Sequence, residues 1–299
     1  MSSISEKITE YFPMLSMAGL ILLVQIIALL LASPMEVNEM QAFEDPTNVS
    51  YSIYYIGLIL GFTLLVLLAI KKNLTWLVKL FIYIAVLTTL YYIFYALLTL
   101  FPGLSLKLVA LLSGLLATGM TLLLYKYPEW YVVDIIGVCL AAGVSALIGI
   151  SLSVVPIIVL LLLLAIYDAL SVYKTKHMVT MAEGLMDLKL PILFVIPKHR
   201  TYSFRKENFG EGEEREAFFM GLGDAVMPTL LVVSAYIFAN TPNMFSYPVL
   251  GAIFGTLVGF FVLSIQVMKG NPQAGLPFLN TGVILGFFAG TFLSGTPLF

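Results

Sequence analysis

Long apolar segments separated by short polar connections dominate this chain of 299 residues. The apolar runs are continuous and do not alternate with polar positions, which favours membrane-spanning helices over barrel strands. Each run is close to the roughly 20 apolar residues that a helix needs to cross a bilayer. The pattern therefore predicts an all-α polytopic membrane protein with nine transmembrane helices. In chain order the nine segments lie near residues 14–33, 51–70, 76–100, 105–125, 130–149, 153–173, 218–239, 247–268 and 275–296.

Two connections are longer than the others, and the second divides the chain. The first, at 33–48, is acidic. The second joins segments 6 and 7, so we predict three parts: residues 1–173 with helices 1 to 6, a loop at 174–217, and residues 218–299 with helices 7 to 9. Within the loop, the stretch MDLKLPILFVIP at 186–197 is too short to span a membrane. It predicts an interfacial helix or a strand-like piece that lies against the bundle.

Composition supports the membrane class and argues against other classes. Hydrophobic residues make up 60% of the chain and charged residues 11%, whereas soluble domains average about 25% charged residues. The formal net charge of −2 gives no basic footprint, so no nucleic-acid partner is expected. The single cysteine, Cys139, excludes an intrachain disulfide. We therefore expect an integral, multi-pass membrane protein whose surroundings are the lipid bilayer.

The distribution of basic residues predicts the orientation in the membrane. If the chain crosses the membrane nine times, all of its 15 Lys and Arg residues except Lys107 fall on the side of the N-terminus. Cytoplasmic loops collect Lys and Arg. We therefore predict a cytoplasmic N-terminus and an extracytoplasmic C-terminus. The same sorting supports the count of nine, because one helix more or fewer would scramble it.

Three aspartates interrupt the apolar segments. An aspartate at the centre of a spanning helix costs about 2.5–3.5 kcal/mol on insertion scales, so it is treated as a functional hypothesis. Asp134 follows the stretch PEW by only a few residues, and we expect it to reach the cytoplasmic interface. Asp168 in segment 6 and Asp224 in segment 7 are the candidates for chemistry.

The two candidate aspartates are predicted to lie at one depth. Asp168 precedes Lys174 by six residues and Asp224 follows Glu216 by eight, so both lie about 9–12 Å inside the cytoplasmic ends of their helices. The helices run in opposite directions, and as neighbours they would bring the two carboxyl groups face to face. Two carboxyl groups at such a short distance share one proton near neutral pH. One can then take a proton from water while the other donates to a carbonyl oxygen, and neither a metal nor another cofactor is required.

Small residues surround the second aspartate. Gly221 and Gly223 flank Leu222 just before Asp224, and their missing side chains permit close approach of a partner helix or of a substrate backbone. The glycines could therefore serve only the tight packing of helices, or they could make room for a substrate. The sequence pattern does not decide between these two roles. Pro228 removes one helix hydrogen-bond donor and loosens the turn that holds Asp224.

The chain resembles the presenilin and signal peptide peptidase family of GxGD intramembrane aspartyl proteases. Three motifs carry the resemblance: YD at 167–168, GLGD at 221–224, and QAGLPFLN at 273–280. The resemblance implies a nine-helix fold in which Asp168 and Asp224 are the catalytic pair. The other residues that it assigns to the active-site motif are Tyr167, Gly221, Leu222 and Gly223.

The third motif departs from the family pattern. The family has Pro-Ala-Leu, whereas this chain has Ala274, Gly275 and Leu276, followed by Pro277, so only the leucine matches. The resemblance implies that these four residues bind substrate. It also implies an extended backbone at 274–276 that pairs with an unwound substrate segment.

The loop and the orientation point to one branch of the family. The loop between segments 6 and 7 lacks the long extension of eukaryotic presenilins, so the chain resembles a microbial, archaeal presenilin homologue. A cytoplasmic N-terminus is the presenilin topology and the opposite of that of signal peptide peptidases. The implied substrates are single-spanning proteins with an extracytoplasmic N-terminus. The oligomeric state, the need for partner subunits and self-cleavage of the loop stay open.

Other functions remain open from the sequence. A proton- or cation-coupled transporter could use the same acids as a relay, and a membrane scaffold could carry them as structural groups. A zinc protease would need H-E-x-x-H, but the only histidines, His177 and His199, lie in the loop. A rhomboid-like serine protease would need an intramembrane histidine. The preferred hypothesis is an intramembrane aspartyl protease that cleaves transmembrane helices.

Overall fold

Nine helices carry the apolar segments, as predicted, in the part of the chain that the structure describes. The structure is a computed structural model. It describes residues 2–72, 74–175, 190–199, 202–205, 207, 216–238, 243–268 and 273–295, with side chains from residue 12 onward except residue 175. The helices are α1 Ser2–Val37, α2 Ser50–Lys71, α3 Thr75–Thr99, α4 Leu106–Lys126, α5 Trp130–Ser151, α6 Val154–Leu170, α7 Leu222–Phe238, α8 Tyr247–Val267 and α9 Gly275–Ser294.

Eight of the described helices are long and apolar enough to cross a membrane. The exception is α7, which has 17 residues and lies at the lower end of the 17–25 residues typical of a spanning helix. Most predicted boundaries differ from the observed ones by only a few residues. Helix α1 differs more, because it begins at Ser2 rather than near residue 14.

A two-stranded antiparallel sheet lies between α6 and α7 in the chain. Strand β1 spans Leu193–Pro197 and strand β2 spans Ala217–Gly221. Of the two alternatives predicted for 186–197, the strand is confirmed over β1, whereas residues 186–189 lie outside the described residues. The end of the bundle at which the sheet lies is called the sheet end below.

The prediction that the helix of segment 7 begins at residue 218 is wrong, because the chain there forms a strand. The run AFFMG at 217–221 forms β2, and the helix begins only at Leu222. A short continuous apolar run does not distinguish a buried strand from a helix, because it has no useful periodicity. Pairing with β1 decides for the strand. Asp224 is therefore the third residue of α7 and lies in its first turn.

Helix α5 is central in the bundle. It packs against α1, α7 and β1, and 72% of its most apolar stretch is buried, compared with 11% for α2 and 22% for α4. Helices α2 and α4 thus direct most of their apolar side chains outward, as expected for helices that are apolar all round and face lipid.

Helices α8 and α9 pack backbone against backbone. Glycines at four-residue spacing face each other across this interface, and a Cβ atom added to any of them would meet the backbone of the opposite helix. Small residues at this spacing allow transmembrane helices to approach closely. The contact fixes α9, whose first turn reaches the sheet end. The facing glycines are Gly251, Gly255 and Gly259 on α8 and Gly282, Gly286 and Gly290 on α9.

The chain continues beyond α6 as a π-helical turn at Ser171–Thr175. Such turns are rare and occur often at functional sites. The partition into residues 1–173, 174–217 and 218–299 stays a prediction, because much of the loop, including His177, lies outside the described residues. His199 is described and exposed.

Candidate active site

Asp168 caps the first turn of another helix. It lies in the last turn of α6 and is only 5% exposed. The backbone N–H groups of Gly275 and Leu276 donate to its carboxylate, the second at 3.1 Å from Oδ2. Both N–H groups belong to the first turn of α9, where no carbonyl within the helix can accept them. The Asp168 side chain therefore ties the end of α6 to the start of α9.

Asp224 lies against the same turn of α9. It is half-buried in the first turn of α7. A Cβ atom placed on Gly275 would be 2.8 Å from its Oδ1 and 3.1 Å from its Cγ, so only a residue without a side chain fits beside this carboxyl group in the present geometry. Helix α6 packs directly against α7 and α9, and α7 also packs against α9. Gly275 is thus the backbone element that both acids contact.

The residues of the GLGD motif have different surroundings. Gly221 ends β2, and a Cβ atom there would lie 3.6 Å from Asp224 Oδ2, an ordinary contact distance. Gly223 is exposed, and a Cβ atom there would meet no described atom within 4 Å. Leu222 is half-buried and packs in the main hydrophobic cluster. Tight packing of the described helices therefore does not explain Gly223.

The predicted substrate-binding residues form the start of α9. Ala274 is buried and extended, with φ −73° and ψ 121°, but the helix begins at Gly275. The extended backbone predicted for 274–276 is therefore limited to Ala274, because the next two N–H groups serve as the helix N-terminus that Asp168 caps. Leu276 and Pro277 are half-buried in the first turn.

A tyrosine that sequence reasoning missed holds the chain just before α9. The Tyr173 hydroxyl, in the π-helical turn, donates to Gln273 Oε1 at 2.8 Å and accepts from the backbone N–H of Ala274 at 3.4 Å. Tyr173 comes five residues after Asp168, so the end of α6 and the π-helical turn that follows it both contact residues 273–276. Tyr167, which precedes Asp168 in the YD motif, is half-buried. No spacing rule in the sequence marks Tyr173.

Asp134 has a partner that the sequence did not indicate. It lies in the second turn of α5, but it is only 7% exposed, and its Oδ1 accepts the backbone N–H of Val195 in β1 at 2.8 Å. That Asp134 reaches the cytoplasmic interface stays a prediction, and at this end of α5 the residue is covered by β1. The sequence contained the right signal, an acid within an apolar segment, but not the partner strand.

A polytopic apolar bundle with two aspartates beside the first turn of one helix is the arrangement expected of an intramembrane aspartyl protease, and comparison with known proteins tests this class. The chain belongs to the family described as signal-peptide peptidase, presenilin aspartyl protease, whose family model matches residues 18–296. This result confirms the predicted family resemblance and the enzyme class, and it favours the protease over the coupled transporter. It also confirms the integral membrane character.

Two solved structures described as presenilin family intramembrane aspartate proteases are similar to the chain. The first, in space group C222, is 41% identical, with a TM-score of 0.71, and the match covers 94% of this chain and 99% of that one. The second, in space group P2, is 42% identical, with a TM-score of 0.70, and the match covers 94% and 98%. No curated protein sequence matches the chain.

Proposed function

We propose that the chain hydrolyses peptide bonds within the transmembrane helices of single-spanning substrates, with Asp168 and Asp224 as the catalytic pair. The observation that carries this proposal is the convergence of both carboxyl groups on Gly275 at the sheet end. Two acids contributed by different helices and held beside one backbone position support general acid and general base action on one substrate, because each must reach the same peptide bond.

The surroundings suggest a role for each carboxyl group. The N-terminus of α9 points at Asp168 and favours a negative charge there, so Asp168 acts as the carboxylate and Asp224 as the acid. Asp168 takes a proton from water while the water oxygen bonds to the carbonyl carbon, and Asp224 donates its proton to the carbonyl oxygen. Asp168 then donates its new proton to the amide nitrogen, and the bond between this nitrogen and the tetrahedral carbon breaks. One hydroxyl group on that carbon returns a proton to Asp224 as the carboxylic acid product forms.

A helical substrate must unwind before this reaction, because its carbonyl groups are held in hydrogen bonds. Strand β2 ends at Gly221, three residues before Asp224, and the sheet has only two strands among the described residues. An extended peptide can be held by main-chain hydrogen bonds at such a strand edge. The open space beside Gly223 gives room for its backbone. Residues 274–277 flank the carboxyl groups on the other side.

Orientation follows from the charges at the sheet end. Lys71, Lys126, Lys198 and Arg205 lie in the elements that end there or in the loop beside the sheet. Since Lys and Arg collect on the cytoplasmic side, we place the sheet end and the N-terminus in the cytoplasm. Water then reaches the aspartates from the cytoplasm, and the substrates have an extracytoplasmic N-terminus.

The proposal is tested with the purified full chain and a single-spanning substrate. We expect Asp168→Ala and Asp224→Ala to abolish cleavage. The unfolding midpoint of Asp224→Ala should stay near that of the unchanged protein, whereas that of Asp168→Ala should fall by a few degrees, because this variant also loses the cap of α9. A matched control is Asp45→Ala, because Asp45 is an exposed acid at the opposite end, where the neighbouring Pro46 accepts the backbone N–H of Ser153 just before α6. Full activity of either dyad variant, or a proton-driven flux in vesicles without cleavage, would contradict the proposal.

A further inference from the structure

Asp134 is the buried acid that the proposed reaction leaves without a role. It is 7% exposed on the central helix α5, and its Oδ1 lies 2.8 Å from the backbone nitrogen of Val195. Val195 itself is fully buried at the middle of β1. The carboxyl group therefore joins α5 to the backbone of β1, the strand that pairs with β2, and β2 leads directly into α7.

The pairing of the sheet explains why this N–H group is available. In an antiparallel pair, alternate residues exchange backbone hydrogen bonds with the partner strand. The residues between them direct their backbone N–H and C=O groups away from that strand. Leu222 N–H donates to Ile192 O at 3.0 Å and Lys198 N–H donates to Glu216 O at 2.9 Å, so the even-numbered residues of this strand face β2. Val195, opposite Phe219, directs its N–H to the outer edge, where Asp134 accepts it.

A second contact comes from the same face of α5, three residues further on. A Cβ atom on Gly137 would lie 3.3 Å from the ring of Phe194 and 3.3 Å from Leu222 Cδ1. Phe194 is fully buried. Helix α5 thus holds the backbone of β1 through Asp134 and packs closely on both β1 and the first residue of α7 through Gly137.

The held segment leads to the reacting group in a few covalent steps. Leu222 is hydrogen-bonded to Ile192 and begins α7, and Asp224 follows two residues later. We infer that Asp134 is a positioning residue, which fixes β1 on α5 and so sets the position of the Asp224 carboxyl group opposite Asp168. This inference rests on the proposed function of Asp224 as a catalytic group.

The central test compares two substitutions of Asp134. Asp134→Asn keeps an oxygen that can accept the Val195 N–H, whereas Asp134→Leu keeps the branched shape of the side chain but has no acceptor and is larger. We expect Asp134→Leu to lower kcat by tenfold or more with KM changed less than threefold, and Asp134→Asn to stay within threefold in kcat. Hydrogen exchange of the 193–197 segment should speed up in Asp134→Leu alone. Ser151→Ala is the matched control, because Ser151 is a buried polar residue at the other end of α5 and accepts the backbone N–H of Ala42 at 2.8 Å.

A variant of the donor tests the same bond if Asp134→Leu folds poorly. Val195→Pro removes the N–H group that Asp134 accepts, at a position whose N–H does not pair with β2. If the bond carries the effect, combining Val195→Pro with Asp134→Leu lowers kcat no further than the worse single substitution. Losses that multiply would overturn the inference.

Other outcomes separate this inference from the catalytic assignment. If Asp224→Ala is inactive while Asp134→Leu cleaves normally with unchanged exchange of β1, the inference is wrong and the catalytic assignment stands. If Asp134→Leu and Ser151→Ala lose the same factor in kcat and in folded fraction, Asp134 is structural only, which also overturns the inference. If Asp224→Ala keeps its activity, both fail.

Discussion

Replacement of one glycine between α8 and α9 by alanine should separate the two helices and reduce activity at a distance. A Cβ atom on Gly286 would meet the carbonyl oxygen of Gly251 and would lie 2.8 Å from the Cα of Gly255. Carbon atoms pack at about 3.5–4.0 Å, so the helices must move apart by about 0.7 Å or more. The contacts are backbone atoms, which cannot turn aside as a flexible side chain can.

The expected size of this effect follows from the cost of overpacking. Forced insertion of a methyl group into a packed interface costs about 1–3 kcal/mol, which corresponds to a fall of several degrees in unfolding temperature. Activity should fall as well, because α9 carries the Gly275 and Leu276 N–H groups that Asp168 accepts. Gly286 lies 11 residues further along α9, about 16 Å away at 1.5 Å per residue, so the loss would be transmitted by the helix as a rigid body.

The assay compares Gly286→Ala with Gly114→Ala in α4. A Cβ atom on Gly114 would meet no described atom within 4 Å, so this control adds only the helix propensity of alanine, up to about 1 kcal/mol in favour of folding. Thermal unfolding and kcat are measured for both variants in the same detergent. Equal unfolding temperatures for the two variants would refute the inferred close packing of α8 on α9.

Three further substitutions test the surroundings of the carboxyl groups. Gly223→Ala should leave the unfolding temperature unchanged but raise KM or lower kcat for a transmembrane substrate, and unchanged cleavage would show that no substrate passes there. Tyr173→Phe removes the hydroxyl group that accepts from Ala274 and should reduce kcat/KM about fivefold, as expected for one hydrogen bond of about 1 kcal/mol; an effect below twofold would count against a role of this contact. Ser234→Ala removes a buried bond to Leu152 O and should cost about 0.6 kcal/mol in unfolding free energy, with kcat unaffected; a loss of cleavage would contradict its purely structural role.

The positions of the helices could be predicted because the membrane imposes one length and one hydrogen-bonding solution on each apolar segment. The strand β2 could not, since AFFMG is apolar on both faces and only its partner distinguishes strand from helix. That partner, β1, is 20 residues earlier in the chain and is itself recognisable only as a segment too short to span. Because the strand was taken for the first turn of the helix, Asp224 was predicted deeper in α7 than it lies. The two aspartates nevertheless lie beside the same turn of α9.

The surroundings of the aspartates were harder to predict than the aspartates themselves. Acids inside apolar segments are conspicuous because of their cost in lipid. The cap of Asp168 on α9, the hydroxyl group of Tyr173 and the bond from Val195 to Asp134 all depend on how helices distant in sequence pack together. Sequence periodicity describes one element at a time and contains no such information.

The central claim, that Asp168 and Asp224 act as one catalytic unit, is tested most directly by single-turnover cleavage with each single alanine variant and with the double variant. Residues that act as a unit show losses that do not add. We predict that each single variant loses about as much of the cleavage rate as the double variant. Losses that multiply in the double variant, or a single variant that still cleaves at the original rate, would contradict the claim.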